Sequence, residues 1–266
     1  MTWSFSDVDY KIYQRNPLVS SDIEIKFHPI VRITQQADVA LFQDKIRQIF
    51  PLYNQHNVRG VTVDPQGNFS VQDNVDHLFT DIQNKNSIIL NQESLRVSSQ
   101  DHQNRAQLIR QFTSGVDALQ SVFGFVNPYR LGVRYVNIIG KDVIAKDLGE
   151  KELQWKDLIS EEFMSIPKEI AVISNTNTMT EIKSNLISAE GELGLRYGVT
   201  QNKDEVPEHF RFDIDRYIHL QNGIDIDKTD EYINIFTQDI YSLFNTVIGS
   251  KLKQWMEQDS GEMQNG

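Results

Sequence analysis

The sequence predicts an α+β fold in which a curved antiparallel sheet is covered by helices, and three observations support this class. Several segments alternate apolar and polar residues with period two, the pattern of strands that have one wet face. Other segments repeat apolar residues at helical spacing. Short polar turns separate several of the strand segments, which favours antiparallel neighbours. The chain has 266 residues, enough for one large domain or two small ones with a real core.

The first predicted elements are a strand and a helix. Residues 21–30 alternate Ile and Phe with polar residues, so we expect a strand whose pairing ends at Pro29. Asp38 is the expected N-cap of a helix over 39–50, and Pro51 stops that helix. The apolar residues of this helix at helical spacing are Val39, Phe42, Ile46, Ile49 and Phe50.

A run of strand signals and a second helix occupy the middle of the chain. The expected strands lie around 58–64, 75–83, 86–91 and 93–99. The expected hairpin turns are Asn84-Lys85 and Asn91-Gln92. An apolar stripe from Leu108 to Phe123 then predicts a helix that ends at Gly124. Residues 130–139 follow as a strand.

The C-terminal part is predicted to contain four strands and a long helix. The strand signals lie at 170–174, 178–187, 189–200 and 209–220. The helix runs from about 229 to 257, with Gly249 as a point of bending. We therefore divide the chain into an N-terminal half, 1–140, a connector, 141–170, and a C-terminal half, 171–258. The polar tail, 259–266, is expected to be disordered.

A short internal repeat suggests that the two halves are similar units. Residues 131–136 (LGVRYV) return as residues 193–198 (LGLRYG), and both hexamers lie on predicted strands. Chance similarity between short strands is the alternative. If the repeat is real, each half is a curved antiparallel sheet covered by a helix.

Composition and charge exclude several classes of function. The chain has 26 Lys+Arg and 37 Asp+Glu, a formal charge of −11, so we expect no generic nucleic-acid binding. It has no cysteine, which excludes disulfides, thiol catalysis and iron–sulfur clusters. The first residues lack a signal-peptide pattern, and no apolar run approaches the ~18 residues of a membrane span. We expect a cytoplasmic protein without membrane contact.

Three features carry a resemblance to a known family. They are the segment 16–19 (NPLV) with the strand after it, the central motif R-x-G-x-R-Y-x-N at 130–137, and the closing residues 213–215 (DID) with Leu243-Phe244. The chain resembles a sporadically distributed family of bacterial proteins of about this length that has no assigned activity. The resemblance implies an α+β fold and favours accessory roles of the phage-defence or toxin-control type.

The central motif also supplies the candidate site. Period two sends Arg130, Gly132 and Arg134 to one face of the strand, and Asn137 to the other. Two guanidiniums beside a glycine can receive a carboxylate, a phosphate or an acidic partner. We therefore predict Arg130, Arg134 and Asn137 as ligand- or partner-binding residues. The alternative is that both arginines pair with Asp or Glu on neighbouring strands.

Other polar motifs are weaker candidates for a metal site. Glu24-x-Lys26 and Glu181-x-Lys183 resemble half of a restriction-type nuclease core, but the pattern is also typical of a solvated strand face. Asp213-x-Asp215 and Asp225-x-Asp227 carry paired carboxylates of the kind that binds Ca²⁺ or Mg²⁺, but capping explains the acids just before the last helix better. The histidines lack metal-ligand spacing. His209 and His219 are candidates to meet across neighbouring strands, although surface or core roles are favoured.

We expect a non-enzymatic binding or interaction protein that recognises a partner protein or an acidic ligand in a bacterial accessory system. The alternative is a divalent-metal-dependent nuclease or another hydrolase. The sequence contains no nucleophile elbow, phosphate loop or zinc-protease motif, which favours the first class. We predict no catalytic residue, no metal ligand and no cofactor, and we leave homo-oligomerisation open.

Overall fold

The computed structural model describes residues 8–63, 69–101, 104–164, 182–188, 191–200 and 209–258. Every structural statement applies to these residues. The predicted strand at 170–174 and the predicted tail at 259–266 lie outside them.

Nine strands form an open antiparallel sheet. The strands are β1 (Leu18–Phe27), β2 (Leu52–Val63), β3 (Phe69–Thr80), β4 (Asn86–Asn91), β5 (Ser94–Ser99), β6 (Pro128–Gly140), β7 (Ile182–Ser188), β8 (Gly191–Thr200) and β9 (His209–His219). Their order is β2-β3-β4-β5-β1-β6-β9-β8-β7. Strands β2, β3, β4 and β5 form an antiparallel meander, and the pairs β1–β5 and β7–β8 are also antiparallel. Together with the helices, this sheet confirms the α+β class.

The helices vary from one turn to five. They are α1 (Gln36–Ile46), α2 (Arg105–Phe123), α3 (Lys141–Leu148), α4 (Trp155–Leu158), α5 (Glu161–Met164), α6 (Thr229–Val247) and α7 (Ser250–Glu257). Two 3₁₀ turns, Val31–Thr34 and Ile226–Lys228, precede α1 and α6. In the described part of the chain, no helix combines the length and apolar character needed to cross a membrane.

Contacts divide the chain into two compact units, each assembled from separate segments. The first unit contains Met1–Val19, Arg134–Arg216 and Ile235–Gly266, and the second contains Ser20–Val133 and Tyr217–Asn234. The predicted halves are continuous segments, so this division does not test them, and they stay a prediction. Both copies of the hexamer repeat lie on strands, β6 and β8; the proposed duplication stays a prediction as well.

In the second unit, α1 and α2 cover one face of the sheet. Apolar residues of β1, β3, β4 and β5 alternate inward, as period two predicts. The buried set includes Ile23, Ile25, Phe27, Phe79, Ile88, Leu90, Leu95, Val97, Phe42 and Phe112. Gly115 lets α2 approach closely, because a Cβ there would lie 3.1 Å from the Ile88 Cδ1 atom. The opposite face of these strands carries the polar residues.

In the first unit, aromatic side chains of β8 and β9 form the core. The Tyr197 and Phe212 rings contact each other, and each of them also contacts the rings of Phe163 and Phe210, with centroids 5.2–6.4 Å apart. Helix α6 also contributes to this core. Its buried residues in this unit are Phe236, Ile240, Leu243, Phe244 and Val247. Leu252 and Met256 of α7 are also buried.

Two sequence predictions about helices were wrong. Asp38 is not the N-cap of α1: Gln35 holds that position, and Asp38 in the first turn binds Arg32 at 2.6 Å. The final helix is two helices, because the Gly249 N–H donates to the Leu158 carbonyl at 2.7 Å and Ile248 forms a β-bridge with Ile159. A Cβ at residue 249 would collide with the backbone carbonyl of Asp157, which explains the glycine.

Candidate anion-binding groove

A polar groove lies on the face of the second unit's sheet that α1 and α2 leave uncovered. Its volume is about 330 Å³, and side chains of β1, β3, β4, β5 and β6 line it. The groove residues that matter for its charge are Glu24, Lys26, Asp76, Glu93 and Arg96. Glu24, Lys26, Asp76 and Arg96 stand on hydrogen-bonded strands, so the sheet holds their backbones, and Glu93 lies in the turn between β4 and β5. Tyr129 also lines the groove, and its ring contacts both His28 and His219 at 5.4 Å.

Lys26 and Arg96 lie on neighbouring strands and reach into the same groove. Lys26 of β1 is opposite Ser94 of β5, and Glu24 is opposite Arg96. Lys26 and Arg96 are therefore diagonal neighbours, with backbones ~7–8 Å apart. Both side chains are half-buried, and both line the same groove.

These two cations form no ion pair with any of the described residues. Neither Lys26 nor Arg96 forms a hydrogen bond or an ion pair there, and the Arg96 Nε atom is buried without an acceptor. Guanidinium and ammonium groups are donors only, and a half-buried cation without an acceptor has lost hydration with nothing in exchange. A groove with such a pair can accept a carboxylate or a phosphate.

Two of the three acids of the groove are bonded to other groups, and the third, Glu93, forms no ion pair with a described residue although its carbonyl accepts from the Phe27 N–H beside Lys26. Glu24 is opposite Arg96, yet its carboxylate accepts from the Arg130 Nη1 atom at 3.1 Å. Asp76 accepts from the Asn91 amide at 2.9 Å. As a result, the acids present in the groove leave the Lys26 and Arg96 charges uncompensated by contact.

Arg130, one of the predicted site residues, binds Glu24, which lines the groove. Its guanidinium stacks over the Tyr217 ring at 4.5 Å. Gly132 makes room for this arrangement, because a Cβ there would lie 3.0 Å from the Arg130 Nη1 atom and 3.2 Å from the Tyr217 Cβ atom. The glycine of the motif thus accommodates an arginine side chain. A bound ligand at Arg130 itself stays a prediction.

Arg134, the second predicted residue, belongs to a separate charged group in the first unit, which we call the Asp213 cluster (Arg134, Arg211 and Asp213). The Arg134 Nε and Nη2 atoms donate to the two Asp213 carboxylate oxygens at 2.8 and 2.7 Å. The Arg211 Nη2 atom donates to the same carboxylate at 3.1 Å. The Asp213 side chain is only 3 % exposed. The ion pairs that were the alternative to a ligand site are therefore present for both arginines.

The Asp213 cluster keeps its carboxylate ionised. Burial raises the pKa of the Asp213 carboxyl, but the hydrogen bonds and charges of Arg134 and Arg211 lower it more, so the pKa is below its usual 3.8. Paired guanidiniums favour the charged form of an acid strongly enough to overcome partial desolvation. This cluster has the chemistry of a structural ion pair.

Asn137, the third predicted residue, is buried. Its side-chain amide donates to the Phe212 backbone carbonyl at 3.4 Å, on the side of β6 opposite the Arg134 side chain. The three predicted residues therefore do not form one cluster: in the described contacts, each binds a different group.

The structure places two further groups of polar residues. His209 and His219 are the first and last residues of β9, so they do not meet across neighbouring strands. Asp213 lies in the middle of β9. Asp225 does cap, since its side chain accepts from the Asp227 N–H at the 3₁₀ turn.

Sequence reasoning missed two arginines. Arg96 lies on the polar face of β5, as the alternation of SLRVSS at 94–99 indicates, but only the strand register places it beside Lys26. Arg216 is 1 % exposed and binds Asp239 of α6 at 3.0 Å, with its guanidinium 4.6 Å from the Phe236 ring centroid. No local motif distinguishes Arg216 from its neighbours on β9.

Among the described side chains, no group of three or more His, Asp or Glu residues is placed to hold a metal ion. Glu181 lies outside the described residues, and Glu24 is bound to Arg130.

No protein-family model matches the chain, and no curated protein matches it significantly. The family resemblance therefore rests on the motifs quoted from the sequence.

Proposed function

We propose that this protein is a binding protein that receives the acidic group of a ligand or a partner protein in the groove at Lys26 and Arg96. The observation that carries the proposal is the pair of half-buried cations, one with a buried donor atom that lacks an acceptor among the described residues. Anion binding would supply the missing acceptors.

Charge-assisted hydrogen bonds make this pair suited to an oxyanion. A guanidinium has five N–H donors in a planar fork and an ammonium has three, and carboxylates and phosphates match the fork in two-point contacts. The cavity of about 330 Å³ is in the range of small-ligand sites. It also has room for one acidic side chain of a larger partner.

The role of Arg130 in this proposal is to position Glu24. By holding the Glu24 carboxylate at 3.1 Å, Arg130 keeps it from neutralising Arg96 on the neighbouring strand. The resemblance to the bacterial family supplies the setting: a cytoplasmic accessory system of the phage-defence or toxin-control type, in which the protein acts by binding.

The test is calorimetric titration of the full chain with inorganic phosphate, with glutarate and with a capped tri-glutamate peptide, at low salt. We expect saturable binding of at least one probe. Lys26→Gln and Arg96→Gln should each weaken it at least tenfold, because a hydrogen bond to a charged group contributes ~1.5–3 kcal/mol. Preference for the peptide would indicate a protein partner, and preference for the free anions a small ligand.

Two control variants test specificity. Lys45→Gln and Arg47→Gln alter exposed cations of the same unit, outside the groove, and should leave the affinity unchanged. Failure of all three probes to bind, or equal binding by the groove variants and the wild type, would overturn the proposal. Thermal melting of each variant confirms that any loss occurs in folded protein.

A further inference from the structure

A second pocket lies on the helical side of the second unit, across the sheet from the groove. Its volume is about 700 Å³, within the range of small-ligand sites. Side chains of α2, of the turn after α1 and of the first turn of α6 line it. All of these segments belong to the second unit, so the pocket lies within one compact body.

Gln111 of α2 is the buried polar residue of this pocket. It is 7 % exposed, and no described residue donates a hydrogen bond to its Oε1 atom, which is closed off from solvent. A carbonyl oxygen that has lost water without gaining a donor costs free energy. The last torsion of a glutamine side chain is broad, so a rotation of the amide presents this oxygen to the pocket. A ligand with an N–H group can supply the missing donor there.

Two carboxylates of the pocket flank Thr113 of α2. The Thr113 hydroxyl donates to the Asp230 Oδ1 atom at 3.2 Å. Asp117 follows Thr113 by one helical turn, which places their Cβ atoms ~5–6 Å apart. Both acids are exposed, and neither forms an ion pair with a described residue. Their carboxylates are therefore open to a cation that enters the pocket.

The pocket combines net negative charge with apolar surface. Its charged lining residues are Asp117, Asp230 and Arg110, two carboxylates and one guanidinium, so the lining has a formal charge of −1. Ile49, which is 42 % exposed, and Ile109 add apolar surface to the same lining. A ligand that matches all of these features is cationic, aliphatic and rich in N–H donors.

We propose that this pocket is a second binding site, which takes an aliphatic polyamine. One ammonium group lies at Asp117 and Asp230, and another amine of the same molecule donates to the Gln111 Oε1 atom. The methylene chain between the two amines covers Ile49 and Ile109. A metal ion fits less well, because no three His, Asp or Glu side chains of the described residues are placed to hold one. This site is separate from the groove, and the inference does not rest on the proposed function.

The test is calorimetric titration of the full chain with 1,4-diaminobutane, butylamine and 1,4-butanediol, at low salt and neutral pH. These probes share a four-carbon chain and differ in how many amines they carry. We expect saturable binding of the diamine, about fivefold tighter than that of butylamine, because the second amine adds a hydrogen bond at Gln111. The diol should bind more weakly than either amine, since it cannot compensate the carboxylates.

Variants locate the binding at this pocket. Asp117→Asn and Asp230→Asn should each weaken diamine binding about threefold, as expected for exposed ion pairs, whereas Arg110→Gln should strengthen it by removing a like charge. Gln111→Met keeps the length of the side chain but not the acceptor. It should lower the diamine affinity about fivefold, to that of butylamine, without lowering the melting temperature. Asp44→Asn, which removes the same charge from an exposed acid on α1, is the control and should leave the affinity unchanged.

Equal affinities for the diamine and butylamine, or an unchanged diamine affinity in Gln111→Met, would overturn the inference. The same loss in Asp44→Asn as in the pocket variants would also overturn it, because the amine would then be attracted by the acidic protein as a whole. Asp117 and Arg110 are exposed, so their variants stay informative if Gln111→Met does not fold, and a shift of the same sign in both would contradict the site. Phosphate titration of the same variants reports separately on the groove and the proposed function.

Discussion

The groove and the Asp213 cluster both place cations of neighbouring strands side by side, but they differ in what those cations touch. In the Asp213 cluster, two arginines bind one carboxylate that is 3 % exposed. In the groove, Lys26 and Arg96 have no bonded partner among the described residues. The comparison indicates that basic residues on a sheet stabilise the fold where they bind a buried acid, and are candidates for ligand binding where they line a cavity without a bonded acid.

Arg216 is the extreme case of the paired class. Its guanidinium is 1 % exposed and is held by Asp239, which is 20 % exposed. A charge at this depth depends on its partner more than the half-exposed Arg134 does. The three sites therefore form a series from fully paired and buried to unpaired and accessible.

The largest effect should come from breaking the buried end of this series. Asp239→Ala should lower the free energy of unfolding by about 3 kcal/mol, because it removes the carboxylate that binds the buried Arg216 guanidinium. Urea unfolding at neutral pH measures the change. The matched control is Asp117→Ala, an exposed acid on α2, which should change stability by less than about 1 kcal/mol. Equal effects in the two variants would contradict the assignment.

The two arginines of the R-x-G-x-R motif should differ in stability. Arg134→Gln should cost about 2 kcal/mol, because the buried Asp213 carboxylate then retains only Arg211. Arg130→Gln, whose partner Glu24 is 23 % exposed, should cost about 1 kcal/mol or less. Urea unfolding of both variants is paired with calorimetric titration of phosphate. A normal stability of Arg134→Gln with lost anion binding would instead support the ligand site at Arg134 that the sequence predicts.

The stability that Asp213 provides should depend on pH in a defined direction. Folding lowers the pKa of this carboxyl, so its stabilisation is fully present above the unfolded pKa near 3.8 and is lost as the pH falls through the folded pKa. The difference in unfolding free energy between wild type and Asp213→Asn should stay constant from about pH 7 to pH 5 and narrow below about pH 4. A difference that does not change with pH would show that the arginine contacts do not carry it.

The smallest effect on stability is expected in the groove, and its sign is opposite. Arg96→Met should leave the free energy of unfolding unchanged or raise it by up to about 1 kcal/mol, because it removes a buried donor that has no acceptor among the described residues. Urea unfolding without added anion measures this. A loss of more than about 1 kcal/mol would mean that Arg96 is a structural residue, and the distinction between the two regions would disappear.

Period-two alternation was sufficient to predict much of the sheet. It placed Ile23, Ile25 and Phe27 in the core and Arg130 and Arg134 on the other face, and both placements are confirmed. The helix that ends at Gly124 was also predicted, since its apolar stripe and its terminal glycine are local signals.

The contacts of the arginines and the break in the last helix depend on which elements are neighbours in space, and a local sequence pattern does not contain that information. The order β5-β1-β6-β9 decides that Arg130 meets Glu24 and that Arg134 meets Asp213. The same order places Arg96 beside Lys26 rather than against an acid. The break at Gly249 likewise depends on a contact with Leu158, almost a hundred residues earlier, which no helical periodicity can indicate.

The way in which the two units share the chain has a consequence for synthesis on the ribosome. The polypeptide passes from one unit to the other at residues 19, 133, 216 and 234. The second unit lacks a segment until residues 217–234 have emerged, although most of it is made within the first half of translation. The first unit waits for residues 235–266. A nascent chain of this protein must therefore keep its early strands from pairing with other chains until the closing helices are made. Termination before residue 234 would leave both units incomplete, whereas termination later in α6 would leave only the first unit incomplete.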